Sequence, residues 1–220
     1  MRMKFLDVPR SGSYAGITSS RNRFGQYVRT RATPVNPAST QQGVVRARLS
    51  TNAAGWRALT ALQRAGWTSL GGQISRNDSL GQAYTLTGFM AYCSVNNNNA
   101  AAGNALVSDA PALTTPADLL TVTITSTNAA LSVAYTATPL AAGVRLFSFA
   151  SPQRSAGRAF EADLRLVAVS AAAAASPAVL FTAYSARFGT PVTGNRIFYS
   201  FATYQAGFIS APFTISQVVA

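Results

Sequence analysis

The chain of 220 residues contains no histidine, a single cysteine and only six acidic residues. Without histidine it lacks the commonest general base and metal ligand, and Cys93 alone cannot form an intrachain disulfide. The motifs G-x-x-x-x-G-K-[ST], G-x-S-x-G and C-x-x-C do not occur in it either. We therefore expect a protein that is not an enzyme and that uses neither a cofactor nor a metal.

One pair of acids is close enough in sequence to be considered as a site. Glu161 and Asp163 lie two residues apart, so that on a strand they share one face, and Arg158 and Arg165 flank them. The pair is either an exposed charge cluster or a paired-carboxylate site. Nothing else in the sequence supports the second interpretation, so we expect the first.

The remaining chemically notable side chains are expected to lie in the core. Cys93 follows Phe89 and Met90 in an apolar segment of predicted helix, which favours packing over reactivity. Trp56 and Trp67 lie in neighbouring predicted helices with apolar residues around them. Their rings are of a kind that stacks on sugars or bases, but we expect them to be structural core residues that pack two helices together.

Charge is scarce and almost entirely of one type. Lys, Arg, Asp and Glu make up 11% of the residues, against about 25% in typical soluble domains. A thinly charged surface suggests that much of it faces other protein, although an Ala/Thr-rich β protein has a similar composition. Lys4 is the only lysine among eighteen basic residues. Arginine favours ordered contacts with carboxylates, phosphates or backbone carbonyls.

The basic residues are concentrated at the N-terminus. Residues 1–77 contain twelve of them and one acid, Asp7, whereas residues 78–220 contain six arginines and five acids. The basic third either binds a polyanion or forms an arm that grips another copy of the chain. Its arginines are spread singly among β and turn residues, unlike the dense runs of nucleic-acid-binding tails, which favours contacts with protein.

Residues 1–37 are predicted to form a basic β-hairpin arm. SYAGITS and QYVRTRA favour strands, and RNRFG between them supplies the turn. Alternation along the second strand places Tyr27, Arg29 and Arg31 on one face, while the prolines at 34 and 37 give a rigid exit from the hairpin. The residues we predict to contact a neighbouring subunit are Arg21, Arg23, Tyr27, Arg29, Arg31, Pro34 and Pro37.

Residues 38–95 are predicted to form a small helical region with two or three short helices. Apolar residues recur at helical spacing after Gln41, and Thr60 with Gln63 is a capping-box pattern that starts a second helix. A third helix is predicted to begin at Thr87 and to fray into the four asparagines at 96–99. Residues 96–118 have the composition of a linker.

The remainder, residues 119–220, alternates polar and apolar residues in about seven segments. These segments predict a seven-stranded β-sandwich of the immunoglobulin or fibronectin type III kind, without the cysteine pair of antibody domains. The fold class expected for the whole chain is therefore mainly β with a small α part. The predicted strands are LTVTITS, LSVAYTA, VRLFSFA, DLRLVAVS, VLFTAYSARF, RIFYSFATY and PFTISQVV.

The N-terminal half resembles a family of uncharacterised proteins encoded in bacteriophages, prophages and some environmental bacterial genomes. The resemblance is carried by SRNRFGQYVRTRATPVNPASTQQGVVRARL, then WRALTALQRAGW, then LTG at 86–88. The family pattern is S-[KR]-N-R-x-G-x-Y-x-R-x-[KR]-x-x-P-x-N-P followed by a helix and W-R-x-L-T-x-x-Q-R-x-x-W. It covers residues 10–95 and implies a structural role in a virion or virus-like particle, with the C-terminal sandwich as an appended module.

These observations predict a self-assembling structural protein of a phage or virus-like particle or of a filament, whose subunits are joined through the N-terminal arm. Its expected partners are further copies of itself and other virion proteins. The alternative is a capsid-type protein that lines a nucleic-acid genome with its basic third, and a glycan-binding adhesin is a weaker alternative. The opening MRMKFLDVPRSG has no run suited to a cleavable signal peptide, and no segment predicts a membrane span. We expect the protein in virions or extracellular assemblies.

Overall fold

The computed structural model describes residues 2–4, 11–22, 25–33, 35–77, 81–136 and 138–220. The chain divides into two compact units, residues 1–45 and 46–220, called here the first and the second unit. With 32% of residues in strands and 27% in helices, and with several antiparallel sheets, the predicted mainly β class is confirmed.

The first unit contains one antiparallel sheet. The predicted hairpin is present as its two central strands, but SYAGITS is not one strand: it divides at Ala15 and Gly16, which form a two-residue turn. Ala15 has a left-handed φ of +49° there, as such tight turns require. The sheet order is β1-β4-β3-β2, with β1 (Arg2–Lys4), β2 (Gly12–Tyr14), β3 (Ile17–Asn22) and β4 (Gly25–Thr30).

Helices follow the first sheet, and their starts agree with the sequence signals. Thr60 accepts a hydrogen bond from the backbone N–H of Gln63, whose side chain accepts one from the backbone of Thr60, so the predicted capping box is confirmed. Thr87 caps the third helix through the N–H of Met90. The elements are α1 (Thr40–Ala58), α2 (Ala61–Gln73), the hairpin β5 (Ser75–Asn77) and β6 (Ala83–Thr85), and α3 (Gly88–Ala101).

The run of four asparagines does not fray, as the sequence predicts, but continues α3 to Ala101. Asn96 is buried, and its side chain exchanges two hydrogen bonds with the backbone of Val107. The side chain of Asn99, also buried, accepts a hydrogen bond of 2.6 Å from the hydroxyl of Tyr204. Asparagine disfavours helix interiors because its side chain competes for backbone groups. Here tertiary partners satisfy those side chains, so the helix continues into the predicted linker.

Two further antiparallel sheets occupy residues 119–220. A three-stranded sheet has the order β12-β8-β7, and the second sheet is built around the long strand β13. Both β9 and β15 pair with residues 199–201 of β13, so they lie on opposite edges of it, and β11 lies beyond β9. The strands are β7 (Thr121–Ser126), β8 (Leu131–Thr136), β9 (Arg145–Ala150), β10 (Arg154–Ser155), β11 (Arg165–Val169), β12 (Ala178–Val179), β13 (Asn195–Gln205), β14 (Phe208–Ile209) and β15 (Phe213–Val218).

These two sheets bury their apolar residues in a common core. Val122 and Val133 of the three-stranded sheet belong to the same buried cluster as Leu146, Ile197 and Phe201 of the larger sheet. In β7 and β8 the more buried and the more exposed residues alternate, as in strands with one face on the core, whereas β13 is buried at eight consecutive residues, 197–204. The second unit therefore has an apolar core of its own.

One predicted strand is a helix instead. VLFTAYSARF contributes only Val179 to a strand, and the rest forms α4 (Phe181–Phe188). Phe181, Tyr184 and Phe188 recur at intervals of three and four residues, which is helical spacing, and all three pack on the shared core. The aromatic and β-favouring composition concealed this period. The other six predicted strands are present among the described residues.

Candidate subunit interface

The sheet of the first unit has no core of its own in the described residues. Every side chain in residues 11–21, 26–33 and 35–45 is exposed or half-buried. A sheet gains stability by burying one face against another layer. Something other than these residues must therefore supply most of the apolar contact that stabilises the first sheet.

The two faces of this sheet differ in chemistry. Residues directly opposite one another in an antiparallel pair share a face. The register of β3 on β4 therefore places Arg29 with Thr18 on one face, and Val28 on the other. Tyr14 and Ile17 are register partners and lie on the face of Val28, where the Tyr14 side chain is 83% exposed. The face of Arg29 is called here the cationic face. The other is called the apolar face because Tyr14, Ile17 and Val28 lie on it, although it also carries Arg21.

The structure brings together only some of the residues predicted to contact a neighbour. Tyr27 and Arg29 share the cationic face, as expected. Arg21 is opposite Gln26 in the register, and lies on the other face. Arg31 directly follows β4, where its backbone N–H donates a 2.8 Å hydrogen bond to the carbonyl of Gly16.

Three residues of the predicted set, Arg23, Pro34 and Pro37, are not among the described residues of the sheet. Pro37 lies in the exposed segment between β4 and α1. Arg23 and Pro34 lie outside the residues that the structure describes. Within the described residues, no carboxylate forms an ion pair with Arg21, Arg29 or Arg31.

An outer strand of the first sheet is open. The sheet order places β2 at one edge, and in the described part of the chain this strand pairs only with β3. All three of its side chains are exposed. Unpaired N–H and C=O groups along such an edge can accept a further strand. The first sheet therefore offers an uncovered edge, and Tyr14 and Ile17 lie exposed on its apolar face.

Both tryptophans lie in the second unit, and both pack on Tyr92. Trp67 is fully buried, and its indole N–H donates a 2.7 Å hydrogen bond to the carbonyl of Ser108. Its ring meets Tyr92 edge-on at 5.1 Å between centroids. Trp56 is half-buried and packs on Tyr92 and Phe89. Tyr92 of α3 thus lies between the tryptophans of α1 and α2.

Glu161 is not part of an exposed cluster, so the expectation for it is wrong. Its side chain is only 5% exposed and forms ion pairs with Arg154 and Arg158. Asp163 instead pairs with Arg165, at 2.7 Å, and is half-exposed. A carboxylate is buried only with partners for its charge, and Glu161 has two arginines. Because the acids use different arginines, they do not form a paired-carboxylate centre.

We predict that Glu161→Gln destabilises the protein at neutral pH. The backbone N–H of Asp163 and the guanidinium of Arg154 lower the pKa of Glu161 below its ordinary value of 4.5, although burial acts in the opposite direction. A carboxyl whose pKa is lowered on folding stabilises the protein above its unfolded pKa, and this contribution is lost as pH falls through the folded pKa. Urea unfolding at several pH values checks this: the difference in urea midpoint between Glu161→Gln and the wild type should become smaller at acidic pH.

Asp163→Asn is the matched control for this prediction. Its partner Arg165 is also exposed, and exposed ion pairs contribute little to stability. The control should therefore change the urea midpoint less than Glu161→Gln does. Equal effects of the two changes at neutral pH would contradict a special role for the buried carboxylate.

Other candidate chemistry is sparse in the described residues. Cys93 is half-buried against the cluster that contains Trp67 and Tyr92, and burial raises the pKa of its thiol. No group of three or more metal-ligating side chains is assembled in the part of the chain that the structure describes. In the same residues, no helix is long and apolar enough to cross a membrane.

No family model, no curated protein and no solved structure matches this chain. The arrangement of residues itself must therefore carry any functional conclusion. Its most informative feature is the first sheet, which carries an apolar face, a cationic face and an open edge.

Proposed function

We propose that this protein is a self-assembling structural subunit, and that the sheet of the first unit joins one copy to the next. The observation that carries the proposal is the sheet without a buried side chain in its described residues. Such a sheet is stabilised when another surface covers its apolar face. In a homopolymer, the neighbouring copy supplies that surface at every junction.

The arginines of the first unit are suited to a protein partner as well as to a polyanion. The first unit contains seven basic residues and one acid, and the second contains eleven and five, so each is cationic. Hydrogen bonds from guanidinium groups to carbonyl oxygens can offset the repulsion between two cationic surfaces. This chain already uses them in that way, because Arg64 donates to the carbonyl of Arg57 and Arg187 to that of Leu166. We infer that Arg29 and Arg31 bind carbonyls or acids of the next copy.

The second unit is proposed to carry a fibronectin type III-like sandwich. Of its seven main strands, the first, second and fifth (β7, β8 and β12) form one sheet, and the third, fourth, sixth and seventh (β9, β11, β13 and β15) form the other. Constant-type immunoglobulin sandwiches place strands A, B, E and D in one sheet and C, F and G in the other, so six of the seven strands correspond and the fourth, β11, lies in the opposite sheet. This division supports the proposal, as does the core that the two sheets share.

The setting we propose is a phage or virus-like particle, or an extracellular filament. The resemblance of residues 10–95 to phage and prophage proteins supports this setting, and so does a surface with few charges. Other virion proteins are then further partners. The alternative is a shell protein that binds nucleic acid. Arg21, Arg29 and Arg31 favour it, because none of them pairs with a carboxylate among the described residues.

Negative-stain microscopy of purified protein tests the proposal directly. We expect regular filaments or closed particles whose absorbance near 260 nm does not fall on nuclease treatment. Regular assembly is expected because each copy carries both the uncovered sheet and the surface that covers it. A protein that stays monomeric at high concentration would contradict self-assembly. Nucleic acid protected inside the particles would instead favour the genome-lining alternative.

A further inference from the structure

A cavity of about 750 Å³ opens on the second unit. It is bounded by α3, by the β5–β6 hairpin and by the turn into β14. Ligand sites typically occupy about 300–1,000 Å³ and are lined mainly by apolar side chains. The walls here are of that kind, and include Ile74, Leu86, Phe89, Val95 and Phe208.

The mouth of the cavity is also apolar, which is unusual for a surface open to water. Leu49, Tyr84, Met90 and Ile209 line it, and each is between 37% and 55% exposed. Single exposed apolar residues are ordinary, whereas several around one opening mark a binding surface. These four come from α1, β6, α3 and β14, so the fold brings them together from distant parts of the second unit.

Arg76 is the one cationic residue that lines this cavity in the described part of the chain, and no acidic residue there lines it. Its guanidinium donates a 3.1 Å hydrogen bond to the hydroxyl of Ser94, which is also a lining residue. That contact uses one of the five N–H donors of the arginine. A guanidinium held at an apolar cavity without a carboxylate partner there complements a single anionic group.

We propose that the cavity binds a small amphiphile that has an apolar body and one anionic head group, either a carboxylate or a phosphate monoester. The body lies among Phe89, Met90 and Phe208, where it covers apolar surface that water now contacts. The head group accepts hydrogen bonds from Arg76 and from the hydroxyl of Ser94. All of the described lining residues belong to the second unit.

Calorimetric titration of the full-length protein with dodecanoate, dodecyl phosphate and 1-dodecanol tests the proposal. We expect the two anions to bind once per chain and the alcohol to bind about tenfold more weakly, because hydrogen bonds to a charged group are worth at least that factor. Arg76→Gln should weaken the binding of dodecanoate by about tenfold and leave the affinity for the alcohol unchanged. Arg57→Gln removes the same charge from an exposed site that does not line the cavity and should change neither.

The single cysteine gives a second and local readout. Cys93 lines the cavity, so bound dodecanoate should slow its alkylation by N-ethylmaleimide in the wild type, but not in Arg76→Gln at the same concentration. If Arg76→Gln fails to fold, as judged by circular dichroism, Arg76→Lys keeps the charge and should retain binding. Equal affinity for acid and alcohol, or dodecanoate binding that leaves alkylation unchanged, would overturn the proposal.

Discussion

Deletion of residues 1–33 is expected to abolish assembly and to leave a folded, soluble subunit. The deletion removes the whole first sheet, in which every side chain of residues 11–21 and 26–33 is exposed or half-buried. The second unit keeps both of its main apolar clusters. Light scattering should report particles for the full chain and monomers for the truncated one, with the β-rich circular dichroism retained.

A double substitution distinguishes the loss of the arginine contacts from the loss of the whole first sheet. Arg29→Ala with Arg31→Ala leaves the strand in place and should weaken assembly, so that a higher protein concentration is needed for particles to form. Arg57→Ala removes an exposed charge from the second unit and serves as the control. If the truncated chain still assembles normally, the first sheet does not connect subunits, and a nucleic-acid partner becomes the better account of its arginines.

Features that depend on neighbouring residues were predictable from the sequence. The capping box of Thr60 and Gln63 involves side chains three residues apart, so its pattern survives in any tertiary context. Six strands were identified for the same reason, because alternation of polar and apolar residues is a local signal. The two-faced character of β4 also followed from alternation, and the structure places Tyr27 and Arg29 on one face.

Features that depend on distant partners were not predictable in this way. Asn99 remains helical because Tyr204, more than a hundred residues away, donates to its side chain. The burial of Glu161 also depends on tertiary packing: its partners Arg154 and Arg158 are near in sequence, but nothing in the spacing of these residues distinguishes an exposed cluster from a buried one. Tertiary packing outweighed local propensity in both cases.

The cavity of the second unit could not be predicted from the sequence either. Its lining residues come from four separated segments, and each segment alone predicts ordinary core. Arg76 lies in a short strand that the sequence pattern did not identify. The one usable signal was the position of Cys93 beside Phe89 and Met90, which indicates an apolar face of α3 but not what that face adjoins.

The largest expected loss of stability from a single substitution belongs to Trp67→Ala. Trp67 is fully buried at the centre of the helical cluster, and truncation of a buried aromatic side chain costs about 3–5 kcal/mol because it leaves a cavity. The change also leaves the carbonyl of Ser108 without its indole donor. Urea unfolding in the background that lacks residues 1–33 isolates this effect from assembly, and the urea midpoint should fall steeply.

Trp56→Ala is the internal comparison for this prediction. Trp56 meets Phe89 and Tyr92 at centroid distances of 5.7 and 5.6 Å but is only half-buried, so its truncation should cost clearly less than that of Trp67. Trp67→Phe should fall between the two alanine variants, because it keeps an aromatic ring against Tyr92 and loses only the N–H donor and part of the volume. Equal midpoints for Trp56→Ala and Trp67→Ala would mean that α2 does not depend on the buried indole. The cohesion of α1, α2 and α3 would then have to come from Tyr92, which touches both tryptophans.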